Sequence, residues 1–315
     1  MEQLDATTAT LQGGRDQPVA AWRRWLLRVA GWLLAAGIVY VVLRRTDLGA
    51  LRSALTATRW GWVALALACN GVGTTLSHAR RWQALIEPIP HRKRASLADL
   101  VRIAYASGAV GNLLPARAGE AVRVIELSRR RGYPAGALIA AQLAEKGIEA
   151  ISLGLLFGIC ALLPGMHPAP LAIAGGIAVA AVALLAALPR RAPGVAGRFL
   201  DALRAVHAER SWVRAVLWST LGDAVDLTLV ALCLRALGID VHPAVWAMVL
   251  LSVNLSLVLP ATPANVGVLE AGAVLALTTA GVAREPALAF AIVYHAVHLV
   301  PATVLGVLSL AIAWE

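Results

Sequence analysis

Apolar runs long enough to cross a bilayer recur along this chain, and they leave few folds open to it. They fall at about residues 25–43, 60–77, 137–163, 169–188, 213–237 and 286–313. A helix needs about 20 predominantly apolar residues to cross the hydrocarbon. With 59% hydrophobic and 15% charged residues and a mean hydropathy of +0.72, the chain has little with which to coat a soluble domain of its 315 residues. The expectation is an all-α polytopic membrane protein.

Two further apolar stretches do not fit a plain span. Residues 97–128 are broken by Gly108, Gly111, Pro115 and Gly119, and carry Arg102, Arg117, Glu120 and Arg123. Residues 245–281 are broken by Pro260, Pro263 and Gly267, and carry Glu270. Proline frees backbone carbonyls and bends a helix. In lipid this is tolerated only where protein or a wet cavity satisfies the freed groups. Both stretches therefore read as re-entrant or discontinuous helical hairpins.

The pattern repeats. Each half reads as a span, a short amphipathic linker, a span, a broken stretch and a span. The linkers, 47–59 and 196–210, space leucines on one helix face and are expected to lie flat at the interface. Pro115 and Pro260 are 145 residues apart, and Glu120 and Glu270 are 150 apart. If each broken stretch returns to its own side, each half crosses three times and the second half is inverted. The chain then divides into residues 1–24, a cytoplasmic segment, and half-repeats 25–163 and 164–315. About six spans plus two broken hairpins form an inverted repeat; the plainer alternative is eight simple spans. Paired broken segments in inverted halves point to a transporter's central site.

Charge sets the orientation. Arg15, Arg23 and Arg24, the basic residues from Arg80 to Arg131, and those from Arg190 to Arg214 fall on one side. Arg44, Arg45, Arg52, Arg59, Arg235 and Arg284 fall on the other. This bias puts both termini in the cytoplasm, with the chain in the plasma (inner) membrane. The net charge of +10 suits anionic lipid headgroups, and no zinc finger or basic-aromatic motif points to nucleic acid. Residues 1–17 are polar, and no small-residue cleavage site follows a short apolar core, so the first run reads as a retained span. Cys69, Cys160 and Cys233 each lie within an apolar run and read as small buried residues.

The first broken stretch runs Asn112-Leu-Leu-Pro115-Ala-Arg117-Ala-Gly119-Glu120-Ala-Val-Arg123. The second runs from Asn254 through Pro260, Thr262, Pro263, Asn265 and Gly267 to Glu270. A carboxylate at membrane depth is costly and should face a partner or water. Glu120 has Arg117 and Arg123 three residues to either side. Those arginines are also suited to gripping a phosphate in bidentate fashion. Substrate-binding candidates are Asn112, Arg117, Glu120, Arg123, Glu145, Lys146, Glu149, Thr262, Asn265 and Glu270. Pro115, Gly119, Pro260, Pro263 and Gly267 are hinge candidates. The plainer reading is that Glu120 and Glu270 only cap half-helices. Asp223, Asp226, His295 and His298 are candidates for coupling or proton relay, against the alternative of local interhelix hydrogen bonds. His295 lies 150 positions after Glu145, where an inverted half expects a counterpart. No metal motif such as His-Glu-x-x-His occurs, and no P-loop, so neither a metal nor another cofactor is expected.

These two motifs together resemble the lysylphosphatidylglycerol synthase transmembrane (flippase-like) family over about residues 25–313. In multidomain members of that family the membrane part is linked to lipid translocation, and a separate soluble domain makes the aminoacyl lipid. The sequence to Glu315 carries no such domain, so the resemblance implies a stand-alone membrane module. It carries over Asn112, Pro115, Arg117, Gly119, Glu120 and Arg123, then Pro260, Thr262, Pro263, Gly267 and Glu270. The family usually has a Glu-Arg pair followed by Asp where this chain has Glu145, Lys146 and Glu149, and often Gly where it has Ala264 or Asn265. Lysine does not reproduce a bidentate phosphate grip, so headgroup preference is expected to differ.

The function expected is a lipid transporter or flippase, not an enzyme, moving a polar-headed lipid of phospholipid, aminoacyl-lipid, isoprenoid-linked or hopanoid type between leaflets. A lipid-modifying transferase is the alternative, although residues 80–96 and 189–212 carry no nucleotide-binding or nucleophile motif. A scaffold for a lipid-synthesis enzyme is the third class. A lipid substrate, anionic headgroups and a lipid-synthesis enzyme are the partners considered, and homo-oligomerisation is left open. Cysteine accessibility should place Arg129 in the cytoplasm and Ala283 outside; both on one side would overturn the inverted arrangement.

Overall fold

The computed structural model describes residues 46–114, 118–160, 211–257 and 262–311, together with Val29, Leu33, Gly37, Tyr40, Arg44 and Gly176 singly. Among the described residues the protein is all-helical. The expected spans at 25–43 and 169–188 and the linker at 196–210 lie outside the described residues, the isolated positions apart. So do Pro115, Arg117 and Pro260.

Helix α1, Leu48–Thr56, is the first amphipathic linker, capped by Asp47, whose Oδ1 accepts from the Gly49 and Ala50 amides. It packs Leu51 against Leu288 and Ala289. Helix α2 runs through Trp60–Cys69, a π turn at Asn70–Thr74, and Thr75–Ile86. The expected span ended at Ser77, where polar residues begin. The helix continues because Arg81 is buried and paired inside the protein, so only residues 87–96 form the following connection. There Glu87 accepts from Arg94 and Arg214 at 2.6 and 2.5 Å. Partial burial pushes the Glu87 carboxyl up, but the two guanidinium groups outweigh it and hold it below the usual carboxylate range.

The first broken stretch is a helical hairpin of α3, Leu97–Leu113, and α4, Ala118–Arg131. Ser96 and Asp99 cap α3 reciprocally. Its base is closed by Arg131, whose side chain binds Asp99 at 2.7 Å and whose carbonyl accepts from the Arg92 and Lys93 amides. Gly132 ends α4 at a φ of +73°, and a Cβ there would strike Arg92. Along the arms Ser107 donates to the Gly119 carbonyl at 2.7 Å. A Cβ at Gly119 would overlap the Ser107 carbonyl oxygen, so glycine sets the arm spacing.

Helix α5, Ala135–Cys160, and α6, Ser211–Ala236, lead to the second broken stretch. This is a hairpin of α7, Pro243–Ser256, and α8, Val268–Thr279, with a short 3-10 turn at Pro263–Asn265 before α8. It repeats the device of the first: Ser252 donates to the Gly272 carbonyl at 2.8 Å, and a Cβ at Gly272 would crowd the Ser252 carbonyl. Helix α9, Arg284–Ala311, closes the described structure. Of the described helices, α6 and α9 are long and apolar enough to cross a membrane by length and composition alone. Helix α5 is 26 residues long but carries Glu145, Lys146 and Glu149.

Antiparallel α2 and α6 form the axis. Arg59 at the start of α2 donates its amide to the Ala236 carbonyl at the end of α6, and Gly73 lies against Val225. Two apolar cores sit at opposite ends of this axis. One joins Val63 and Ala66 of α2 and the last turns of α6 to α7, α8 and α9. The other joins the last turns of α2 and Ala215 and Val216 of α6 to α3, α4 and α5. The two hairpins therefore enter from opposite ends. Helix α9 crosses α3 on small residues, with Gly108 against Ala302 and Gly306 against Ala109 and Tyr105.

Pro301 interrupts α9. It has no N–H, so the Val297 carbonyl four residues earlier loses its helical donor. Asn70, in the π turn, donates to that carbonyl at 2.7 Å. Tyr105 in turn donates to the Gly71 carbonyl within the π turn. Asn70→Ala leaves the buried Val297 carbonyl without this donor and should cost about 1–3 kcal/mol, read as thermal unfolding of the purified protein; an unchanged transition would show the bond to be dispensable.

Candidate functional site

The hairpin tips meet. Asn112, Gly119, Glu120 and Arg123 of the first, and Thr262 and Asn265 of the second, line one cavity of about 340 Å³. Its remaining wall includes Asn70, Thr74 and His78 of α2, Tyr105 of α3, and His298 and Pro301 of α9. A smaller cavity of about 170 Å³ shares Asn112, Asn265 and His298, and reaches Asp226, Asn254 and His295.

Behind the larger cavity lies a buried ion cluster. Glu145 of α5 is 2% exposed and Arg81 of α2 is 3% exposed. The Arg81 guanidinium binds Glu145 through Nη2 at 2.5 Å and Nε at 3.1 Å, Glu149 at 2.8 Å and the Ser219 hydroxyl at 3.0 Å. Trp82 donates its indole N–H to the other Glu145 oxygen at 2.9 Å. Arg123, reaching from the cavity wall, donates to that same oxygen at 3.1 Å and lies over the Trp82 ring. Three helices, α2, α4 and α5, thus meet at one carboxylate, and α6 joins through the Ser219 hydroxyl on Arg81. Lys146 binds Glu149 at 3.0 Å and approaches Glu120 at 3.9 Å on the more exposed side. Arg123, expected beside Glu120 as a phosphate ligand, has its guanidinium turned to Glu145.

The second hairpin is held differently. Gly267 precedes α8 at a φ of +84°, and Glu270 accepts from the Gly267 amide at 2.7 Å, as in the plainer capping reading. The other Glu270 oxygen meets His295 Nδ1 at 2.6 Å, and His295 Nε2 meets the Ala264 carbonyl at 2.9 Å. Ala264 and Asn265 both have positive φ, 52° and 57°. A left-handed alanine costs roughly 1–2 kcal/mol, which surrounding contacts must offset. In each hairpin, then, the second arm is tied to the next long helix: Arg123 to Glu145, and Glu270 to His295.

The remaining candidates fall around these two centres. His298 faces Asp226 at 3.8 Å, and Asp226 accepts from Thr74 at 3.2 Å. Asp223 lies one turn before Asp226 on α6 and joins neither cavity wall. Asn112 donates to Thr303 at 3.0 Å, and Thr262 to the Val266 carbonyl at 2.8 Å. Pro263 begins the 3-10 turn. Glu145, Glu149 and Glu270 support the wall rather than line either cavity.

Sequence reasoning missed Arg81, Trp82, Asn70, Thr74, His78 and Tyr105. A signal existed for Arg81: Ser77, Arg81 and Leu85 recur at a helical spacing, and all three are buried. An arginine beyond the apolar run reads as a topology-setting charge unless that periodicity is followed.

Among the described residues the scaffold is all-helical and largely apolar around a cavity of mixed lining, and two of its helices are long and apolar enough to cross a membrane, as suits a membrane protein. The sequence matches the model of the lysylphosphatidylglycerol synthase TM region over residues 28–306, and the chain belongs to that family. The family ties the protein to membrane lipid. No curated protein matches the chain.

Removing one partner from the buried cluster should be far worse than removing both. Arg81→Met leaves Glu145 with less compensation and is expected to cost about 3–5 kcal/mol. The double variant Arg81→Met with Glu145→Leu should regain part of this in a double-mutant cycle; strict additivity would deny the coupling.

Proposed function

We propose that this protein moves a polar-headed lipid between bilayer leaflets, as a translocase and not as an enzyme. The observation that carries the proposal is the larger cavity, where the tips of two hairpins from opposite ends of the α2–α6 axis meet. Broken helices facing each other across polar space are the arrangement in which irregular backbone is tolerated at membrane depth. The headgroup passes between the tips, among hydroxyl, amide and ionisable groups, while the acyl or isoprenoid tails stay in the bilayer.

Both termini lie in the cytoplasm in this proposal, and the membrane is the plasma (inner) membrane. Arg92, Lys93, Arg94, Arg129, Arg130 and Arg131 gather at the base of the first hairpin, on the cytoplasmic face, and attract anionic headgroups there. Family membership supports a lipid as the cargo.

The test is reconstitution into vesicles carrying a fluorescent phospholipid in both leaflets, with chemical quenching of the outer leaflet to follow exchange. Wild type should exchange the probe. Ala104→Trp, which fills the cavity wall, should slow exchange at least about tenfold, or roughly 1.4 kcal/mol on the barrier. No exchange of phospholipid, isoprenoid-linked or hopanoid-type probes would sink the proposal. A scaffold would instead keep its cellular function when Glu120→Gln and Ala104→Trp are introduced.

A further inference from the structure

The two histidines of α9 are one turn apart but differently partnered. His298 Nδ1 faces the Tyr294 carbonyl at 2.9 Å, and its Nε2 lies 3.8 Å from the Asp226 carboxyl, beyond hydrogen-bond distance. His295 has an acceptor at each nitrogen: the Glu270 carboxyl at 2.6 Å and the Ala264 carbonyl at 2.9 Å. A neutral imidazole has one N–H and cannot donate to both. A carbonyl offers no proton in return. Both bonds exist together only if the pair holds one more proton than a neutral imidazole beside a carboxylate. That proton sits on His295 Nδ1 or on Glu270 Oε1; in either case Nε2–H is left to donate to Ala264.

The contact so made is mechanically placed. Ala264 belongs to the tip of the second hairpin, in a left-handed conformation that alanine disfavours. Helix α9 supplies the histidine, α8 the carboxylate, and the 3-10 turn the carbonyl. We infer that Glu270 and His295 form a proton-binding site whose occupancy fastens the tip of the second hairpin to α9. One proton is taken up from the aqueous phase and no other bond is made or broken. When it leaves, one of the two hydrogen bonds must go. The bond to Ala264 is the one opposed by backbone strain, so the tip is released as pH rises.

Other titratable groups bear on this pair. Asp226 of α6 lines the smaller cavity with His295, and Tyr294 and His298 line it from α9 itself. The first hairpin and α7 present Asn112 and Asn254 there, which do not ionise. His298 is therefore the titrating control. In the transport proposed above, the latch would make the proton the coupled ion.

Nitroxide labels at Val266→Cys near the tip and Thr228→Cys on the exposed face of α6, with the native cysteines replaced by alanine, report the tip position by pulsed electron resonance in lipid nanodiscs. At about pH 5 a single distance is expected; at about pH 9, beyond the ordinary imidazole range, a second population should appear. His295→Gln should show the second population at both pH values. Glu270→Gln, whose amide can donate to Nδ1 of a neutral His295 while Nε2–H holds Ala264, should keep the tip fastened at both pH values, and His298→Gln should leave the wild-type transition in place. An identical distribution at both pH values in the wild type overturns the inference, as does a transition that follows His298 instead. Should His295→Gln fail to fold, nitrogen-15 resonances of His295 in the wild type decide: a ring that never carries the second proton, together with an ionised Glu270, refutes the site. Failure of lipid exchange with a pH-dependent tip would sink the transport proposal alone; exchange with a pH-invariant tip would sink the latch alone.

Discussion

A helix broken inside an apolar protein leaves backbone groups that cannot turn to water, and much of this structure is the answer to that constraint. Pro301 strips the Val297 carbonyl of its donor, and an asparagine on a different helix supplies one. The π turn that carries Asn70 in turn receives Tyr105 from the first hairpin at the Gly71 carbonyl. Where the hairpin arms pass, serine hydroxyls take up glycine carbonyls in both hairpins. Among the described residues these irregularities are matched by donors from neighbours, so the hairpins, α2 and α9 define one another's positions.

Charge is handled by the same rule at higher stakes. Glu145 is nearly inaccessible and receives two arginines and an indole N–H. A cluster so buried stabilises little relative to an apolar replacement, because desolvation offsets most of the attraction. What it provides is position: Arg123 is held at the cavity wall by a carboxylate that is itself held by Arg81. The second hairpin achieves the same end with one histidine and one carboxylate.

Much of this was legible in the sequence, and the parts that were not share a cause. Apolar periodicity located α5, α6 and α9 to within a few residues, because burial in lipid and burial in a core select the same residues. Proline and glycine located both hairpins. The pairing of Glu270 with His295 on the next helix was not among the expectations, which set His295 opposite Glu145 by position alone. Nor was that of Arg123 with Glu145: local spacing offered Glu120, and the fold brought Glu145. Arg81 was read as a loop charge because hydropathy registers an arginine's cost without its partners. Asn70 was invisible, since its role depends on a proline 231 positions further on.

The π turn in α2 has a consequence for how the helix is counted. Its ring closes over one residue more than an α turn, so it acts as an extra character inserted into a periodic text. Before it, Val63 and Ala66 face the core beside the second hairpin; after it, Arg81 and Trp82 face Glu145. A straight α-helix lacking that residue would swing everything beyond it by about 100° about the axis. Both ends of α2 can address their separate cores because the frame is shifted once between them, in the turn whose side chains line the central cavity.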